Sequence, residues 1–255
     1  MQLYRLTLAT IFQRKVWIVA FLSVLLLPIV LPYLTPYESN PTLIEPARAQ
    51  AAWVTLWVVS VAWVFFQSSR FGDETARSGM GAYFLSTGMS RVSQMMQIWA
   101  ACMTFLLPLV FLTVAVCLVG AMPGDKNQAS MWLATNMQYA ALFLLVIAPL
   151  SMLAISVGSR FGSTIGYIVP LCMSVYGLFG VGYLAMMTTV QENIFLDWLY
   201  VLSPHYHLAD LTPRLVFKQG SMVGSEFLQL VAYFVGLKLV LSTFSTFCFR
   251  AKPAT

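Results

Sequence analysis

VSQMMQIWAACMTFLLPLVFLTVAVCLVGAMPG, residues 92–124, contains no Asp, Glu, Lys or Arg. An apolar helix needs about 20 residues to cross a bilayer core, so this run can cross with tilt or protrusion to spare. A backbone in hydrocarbon must satisfy its own hydrogen bonds, so the run reads as a helix. The next uncharged run, residues 127–159, lies between Lys126 and Arg160. Outward on both sides the pattern repeats. Residues 16–37, 49–69 and 161–191 carry no charge, and residues 227–249 carry only Lys238. The spacing predicts six spans, at about 16–34, 51–67, 95–120, 131–156, 164–186 and 227–249. The expected fold is all-α, a polytopic membrane protein whose residues 1–255 make one transmembrane domain.

Composition agrees with this reading. Of 255 residues, 59% are hydrophobic and 9% charged, against about 25% charged in a soluble domain. Six spans leave too little chain for a soluble domain of ordinary size. The net charge of +5 does not point to nucleic acid, because the basic residues lie near span ends. With the N-terminus inside, Arg5, Arg14, Lys15, Arg70, Arg77, Arg91, Arg160, Arg250 and Lys252 are inside. Arg48, Lys126, Arg214 and Lys218 are then outside, nine against four. That bias predicts cytoplasmic N- and C-termini. No small-residue cleavage site follows the first apolar run, so span one reads as an uncleaved anchor. Cys102, Cys117, Cys172 and Cys248 all fall in spans without a CxxC pair and read as small packing residues.

The polar segments have structure of their own. Residues 1–15 read as an amphipathic helix, with Tyr4, Leu8, Ile11 and Phe12 on one face and Gln2, Arg5, Ala9 and Gln13 on the other. Such a helix lies in the membrane interface. Residues 35–50 hold Pro36, Pro41 and Pro46 and are expected to be irregular. Residues 68–94 form the largest inner segment. Two short helices are expected there, with a turn at Thr87–Gly88 and Ser86, Thr87 or Ser90 as a cap. Gly158, Gly162 and Gly166 stand four apart, which fits a close helix approach or a flexible loop equally. In the outer segment 188–225, Thr189 and Glu192 match a capping box, Pro204 ends a helix, and Thr212–Pro213 starts another. Two short amphipathic outer helices follow.

Chemistry is sparse. No GxxxxGK[ST] loop exists, so the chain does not bind ATP by that mechanism. No HExxH or GxSxG occurs, and no acid lies deep in any span, which speaks against an ion-driven carrier. Lys238 either faces an internal path, where it would attract an anion, or lies near a boundary and snorkels. His205, His207 and Asp210, in HYHLAD, allow a weak metal reading or a polar turn between outer helices.

Residues 68–101 resemble the segment between the second and third spans of type-2 ABC exporter permeases. The matching features are Glu74, Gly79, Leu85, Ser86–Thr87 and Ser90–Arg91. Gly88 stands where that family usually has Pro, and Gln94 and Gln97 where it commonly has Lys. The amphipathic start, the six spans and LSPHYHLADLTPRLVF between spans five and six resemble the family as well. The resemblance implies a coupling helix seated in a separate cytoplasmic ATP-binding-cassette subunit. Asp73, Glu74, Gly79, Leu85, Gly88, Ser90 and Arg91 would form the coupling region. ATP and Mg would bind in that partner, with no cofactor in this chain. It further implies a dimer with a second copy or a related permease, lined by spans one and five, among lipids of a bacterial inner membrane. Lys238 would face the translocation path, and Pro204, His205, His207 and Asp210 an outer gate. Two other readings fit the residues: an intramembrane lipid-modifying enzyme using His205 and His207, or a scaffold for a membrane complex.

Overall fold

The computed structural model describes residues 2–34, 41–124, 126–191 and 193–251. Helix α1 (Gln2–Gln13) leads into α2 (Val16–Leu34) and α3 (Pro41–Arg77), then short α4 (Met80–Ser86). Long helices α5 (Arg91–Gly120), α6 (Gln128–Phe161) and α7 (Ser163–Val190) follow. Next come α8 (Ile194–Leu202), a 3-10 turn (Tyr206–Ala209), α9 (Thr212–Val216) and α10 (Gly224–Cys248). No strand occurs among the described residues. Helices α2, α3, α5, α6, α7 and α10 are each long and apolar enough to cross a membrane. The chain is an all-α, multi-pass integral membrane protein.

Helix α6 is the axis of the bundle, packed by α3, α5, α7 and α10. Its most apolar window is 78% buried, whereas that of α10 is 11% buried. A helix apolar all round belongs inside; the outer helices leave one side to lipid or to another chain. The helix ends at residues 14–15, 77–91, 159–163 and 248–251 gather at one end of the bundle. Arg14 pairs with Glu74 at 3.0 Å, Ser163 N donates to Asp73 Oδ2 at 3.2 Å, and Arg250 N donates to Ser159 Oγ at 2.9 Å. This is the basic end. Residues 193–223 lie at the far end.

Three helices meet at the basic end with glycine between them. A Cβ on Gly72 would overlap the Ile155 carbonyl, one on Gly158 the Ser69 carbonyl, and one on Gly166 the Gly158 backbone. Of the three glycines in the 158–166 stripe, two therefore mediate close approach. Gly162 makes the turn between α6 and α7, at φ 94°.

Several expectations need correction. Helix α1 buries Leu3, Thr7 and Ile11, a stripe that shares only Ile11 with the apolar face read from sequence. The reason is that α1 packs on α5, with Tyr4 N donating to Gln97 Oε1 at 3.3 Å, so Phe12 and Leu6 are left exposed. The helix of span two begins at Pro41, because Pro is tolerated at a first helical position; Pro36 lies outside the described residues. Span two also runs unbroken to Arg77, so only one short helix, α4, follows it. Glu192 lies outside the described residues, and Thr189 belongs to α7, its hydroxyl bonded to Met186 O. Asn193 caps α8 instead, accepting from Phe195 N at 2.9 Å.

Candidate functional site

Two constructions stand out, one at each end. At the basic end, Gly79 (φ 74°) and Gly88 (φ 88°) bracket α4. Both adopt the left-handed conformation that Gly takes without penalty. Ser90 caps α5, its Oγ accepting from Ser93 N at 3.2 Å. The hairpin 79–91 is held from below. Gln94 is buried, and its Nε2 donates to Gly81 O at 3.1 Å. A Cβ on Gly81 would overlap the Ala251 carbonyl, so α4 sits directly on the chain leaving α10.

The expected coupling residues divide into two groups. Asp73 and Glu74 are engaged in ion pairs within the chain. Glu74 joins Arg14 and Arg70, and Asp73 joins Arg77 and caps the start of α7. Leu85 is half-buried against the protein's own core. Gly88, Ser90 and Arg91 are exposed at the tip of the hairpin. Tyr83, which sequence reasoning passed over, is 61% exposed on α4, its ring edge-on to Phe84. An aromatic at that exposure beside a fixed neighbour is a ready anchor for a partner.

At the far end, the polar stretch Asn136–Gln138–Tyr139 of α6 gathers the segment after α8. Gln138 clamps Met222 from both sides, at 3.1 and 2.9 Å. Tyr139 is fully buried and stacks on Trp53 at 3.9 Å. Trp57 Nε1 donates to the Tyr139 hydroxyl at 3.1 Å, and that hydroxyl donates to Asp210 Oδ1. Thr212 Oγ1 lies 3.0 Å from the same hydroxyl, and Thr212 N donates to Asp210 Oδ1 at 3.0 Å. Tyr139 stands eleven residues below Gln128, roughly 16 Å at the helical rise. The segment after α8 therefore places Asp210 against the side of α6 rather than at its end.

Beside Asp210 a cavity of about 360 Å³ lies between α3 and α7. Its walls are apolar except for Asp210, Thr212 and Ser174. Val61 and Ala62 come from a π turn at Ser60–Val64, and Leu178 and Phe179 from another at Tyr176–Gly180. Such turns widen a helix locally and frequently mark functional sites. Tyr206, fully buried, packs against Gly177 in the second of them, where no side chain would fit.

The expected gate residues part company. Pro204 O accepts from Tyr206 N at 2.9 Å. His205 turns to α10, where its Nδ1 lies 3.2 Å from the Tyr233 hydroxyl. Burial, and next the His207 ring, lower the His205 pKa from its ordinary value, against a raising contribution from Ser203. Burial, and next Tyr233, push the Tyr206 phenol up. Among the described residues, no three His, Cys, Asp or Glu side chains are placed to hold a metal. Lys238 is half-buried on the stripe of α10 that buries Phe234, Leu241 and Ser245. It has no ion-pair partner among the described residues, and it does not line the cavity. Ten residues separate it from Cys248, nearly three turns of helix.

No protein-family model, curated protein or solved structure matches the chain.

Proposed function

We propose that the chain is the transmembrane subunit of an ATP-binding-cassette exporter, driven by a separate cytoplasmic ATPase and working as a dimer. The observation that carries this reading is the hairpin 79–91. It is a short helix between two left-handed glycines, exposed at Tyr83, Gly88, Ser90 and Arg91 and anchored beneath by Gln94 and by the close approach of Gly81 to Ala251. A subunit without a nucleotide loop must receive work mechanically. This protrusion is the surface that a partner would push, and it is continuous with α3 and α5, which pack on α6. The basic end is then cytoplasmic, with both termini, in keeping with the Lys/Arg bias. The exposed apolar faces of α2 and α7 suit a two-fold interface with a second copy or a related permease, with lipids around the rest.

Purification of the tagged chain in mild detergent tests the reading. An ABC ATPase should copurify, and ATP hydrolysis should require it. Hydrolysis by the chain alone, or a functional monomer without such a partner, would reject it. An impermeant thiol reagent on intact cells checks orientation: a cysteine at Ser225 should react and one at Ser78 should not.

A further inference from the structure

The Asp210 carboxylate is used on one side only. Both of its hydrogen bonds, from Tyr139 and from Thr212 N, arrive at Oδ1. Oδ2 receives none from a described residue, and no described Lys, Arg or His forms an ion pair with Asp210. The same side chain lines the cavity between α3 and α7, whose other walls are almost wholly apolar. A half-buried carboxylate beside apolar walls favours a counter-charge, and no described residue places one there. The indole of Trp57 also lines the cavity and is fixed by its bond to Tyr139. An aromatic wall beside an acid favours a cation. At about 360 Å³ the space is of the size that holds a small organic molecule.

We propose that this cavity binds an amphipathic cation, its positive head on Asp210 Oδ2 beside Trp57 and its apolar body between Val61 and Phe179. The binding does not depend on the transport reading; only the name of cargo for that ligand does. A lipid acyl chain fits the apolar walls equally well but leaves the carboxylate without a partner. A neutral tail and a cation of the same length therefore separate the two.

The test uses the full chain, with any copurifying subunit retained, in nanodiscs of zwitterionic lipid. Binding of radiolabelled tetraphenylphosphonium is measured after subtraction of empty nanodiscs. A saturable component is expected that dodecyltrimethylammonium displaces and dodecanol does not. Asp210→Asn keeps the Oδ1 acceptor for Tyr139 and Thr212 N but removes the charge, and affinity should fall about tenfold or more. Ala62→Phe fills the cavity from an exposed position and should weaken binding comparably without touching the carboxylate. No saturable binding in the wild type, equal affinity in Asp210→Asn, or equal displacement by dodecanol would each overturn the proposal. If Asp210→Asn does not fold, Ala62→Phe and the dodecanol competition decide.

Discussion

At the basic end, α3, α6 and α7 touch backbone to backbone through Gly72, Gly158 and Gly166. At the far end α3 meets α6 through Trp53, Trp57 and Tyr139, and α3 and α7 border a half-open cavity between two π turns. The difference has a mechanical consequence. Backbones in contact have a single arrangement, since no side chain can rotate to relieve a shift. Helices spaced by side chains and helical bulges have several. A displacement of the hairpin would therefore pass through the basic end as a rigid unit and be taken up where the helices are apart.

Breaking the tight end should have the largest effect. Gly158→Leu drives a side chain into the Ser69 carbonyl, and Gly72→Leu into that of Ile155. Each should cost about 3 kcal/mol or more, seen as loss of monodisperse protein in size-exclusion chromatography. Gly182→Ala on α7, where a Cβ meets nothing within 4 Å, is the control. It should be neutral or stabilising by up to about 1 kcal/mol. If both substitutions are tolerated alike, the contrast between the two ends is wrong.

A smaller loss is expected in the far-end network. Tyr139→Phe removes the hydroxyl that joins Trp57, Asp210 and Thr212, leaving buried groups without partners. About 1–3 kcal/mol should go, read as a lower melting temperature, with the hairpin and any partner binding there intact. Smaller again is Arg14→Ala. Its bond with Glu74 is partly exposed, and Glu74 keeps Arg70. The loss should stay below about 1 kcal/mol and shrink as salt is raised.

The smallest effect concerns pH. The folded protein holds His205 below its ordinary pKa, so folding favours the neutral ring. That contribution is complete above the unfolded value of about 6.5 and is lost as pH falls through the lower folded value. A slight fall in melting temperature toward pH 5 should flatten in His205→Gln. An unchanged slope would place the titration elsewhere.

The membrane fold was legible in the sequence because charge is excluded from lipid, and the charged residues mark where lipid ends. The turn at Gly88 was legible too, and Ser90 was one of three candidates for the cap, since a left-handed turn and a helix cap are local events. The buried stripe of α1 was not, because α5 decides which face of α1 is inward. The roles of Asp73 and Glu74 were hidden for the same reason: their partners Ser163 and Arg14 are distant in sequence. Asp210 was seen as a polar turn residue, and nothing local sets its depth. The signal was on another helix, in the polar cluster Asn136–Gln138–Tyr139 within an otherwise apolar run. Tyr83 was missed because apolar patterning treats an aromatic as core until the packing leaves it outside.

The account turns on whether the rigid end receives work through the hairpin, and Tyr83 is the residue to ask. Leu85 is a poorer choice, since it is half-buried in the protein's own core and its loss would confuse folding with binding. Tyr83→Asp, on an exposed face, should leave the chain monodisperse. Burying its carboxylate under a partner would cost several kcal/mol, so on the proposed reading the ATPase that copurifies with the chain should fall about tenfold or more. A wild-type ratio of ATPase to permease in Tyr83→Asp, with hydrolysis unchanged, would contradict the account.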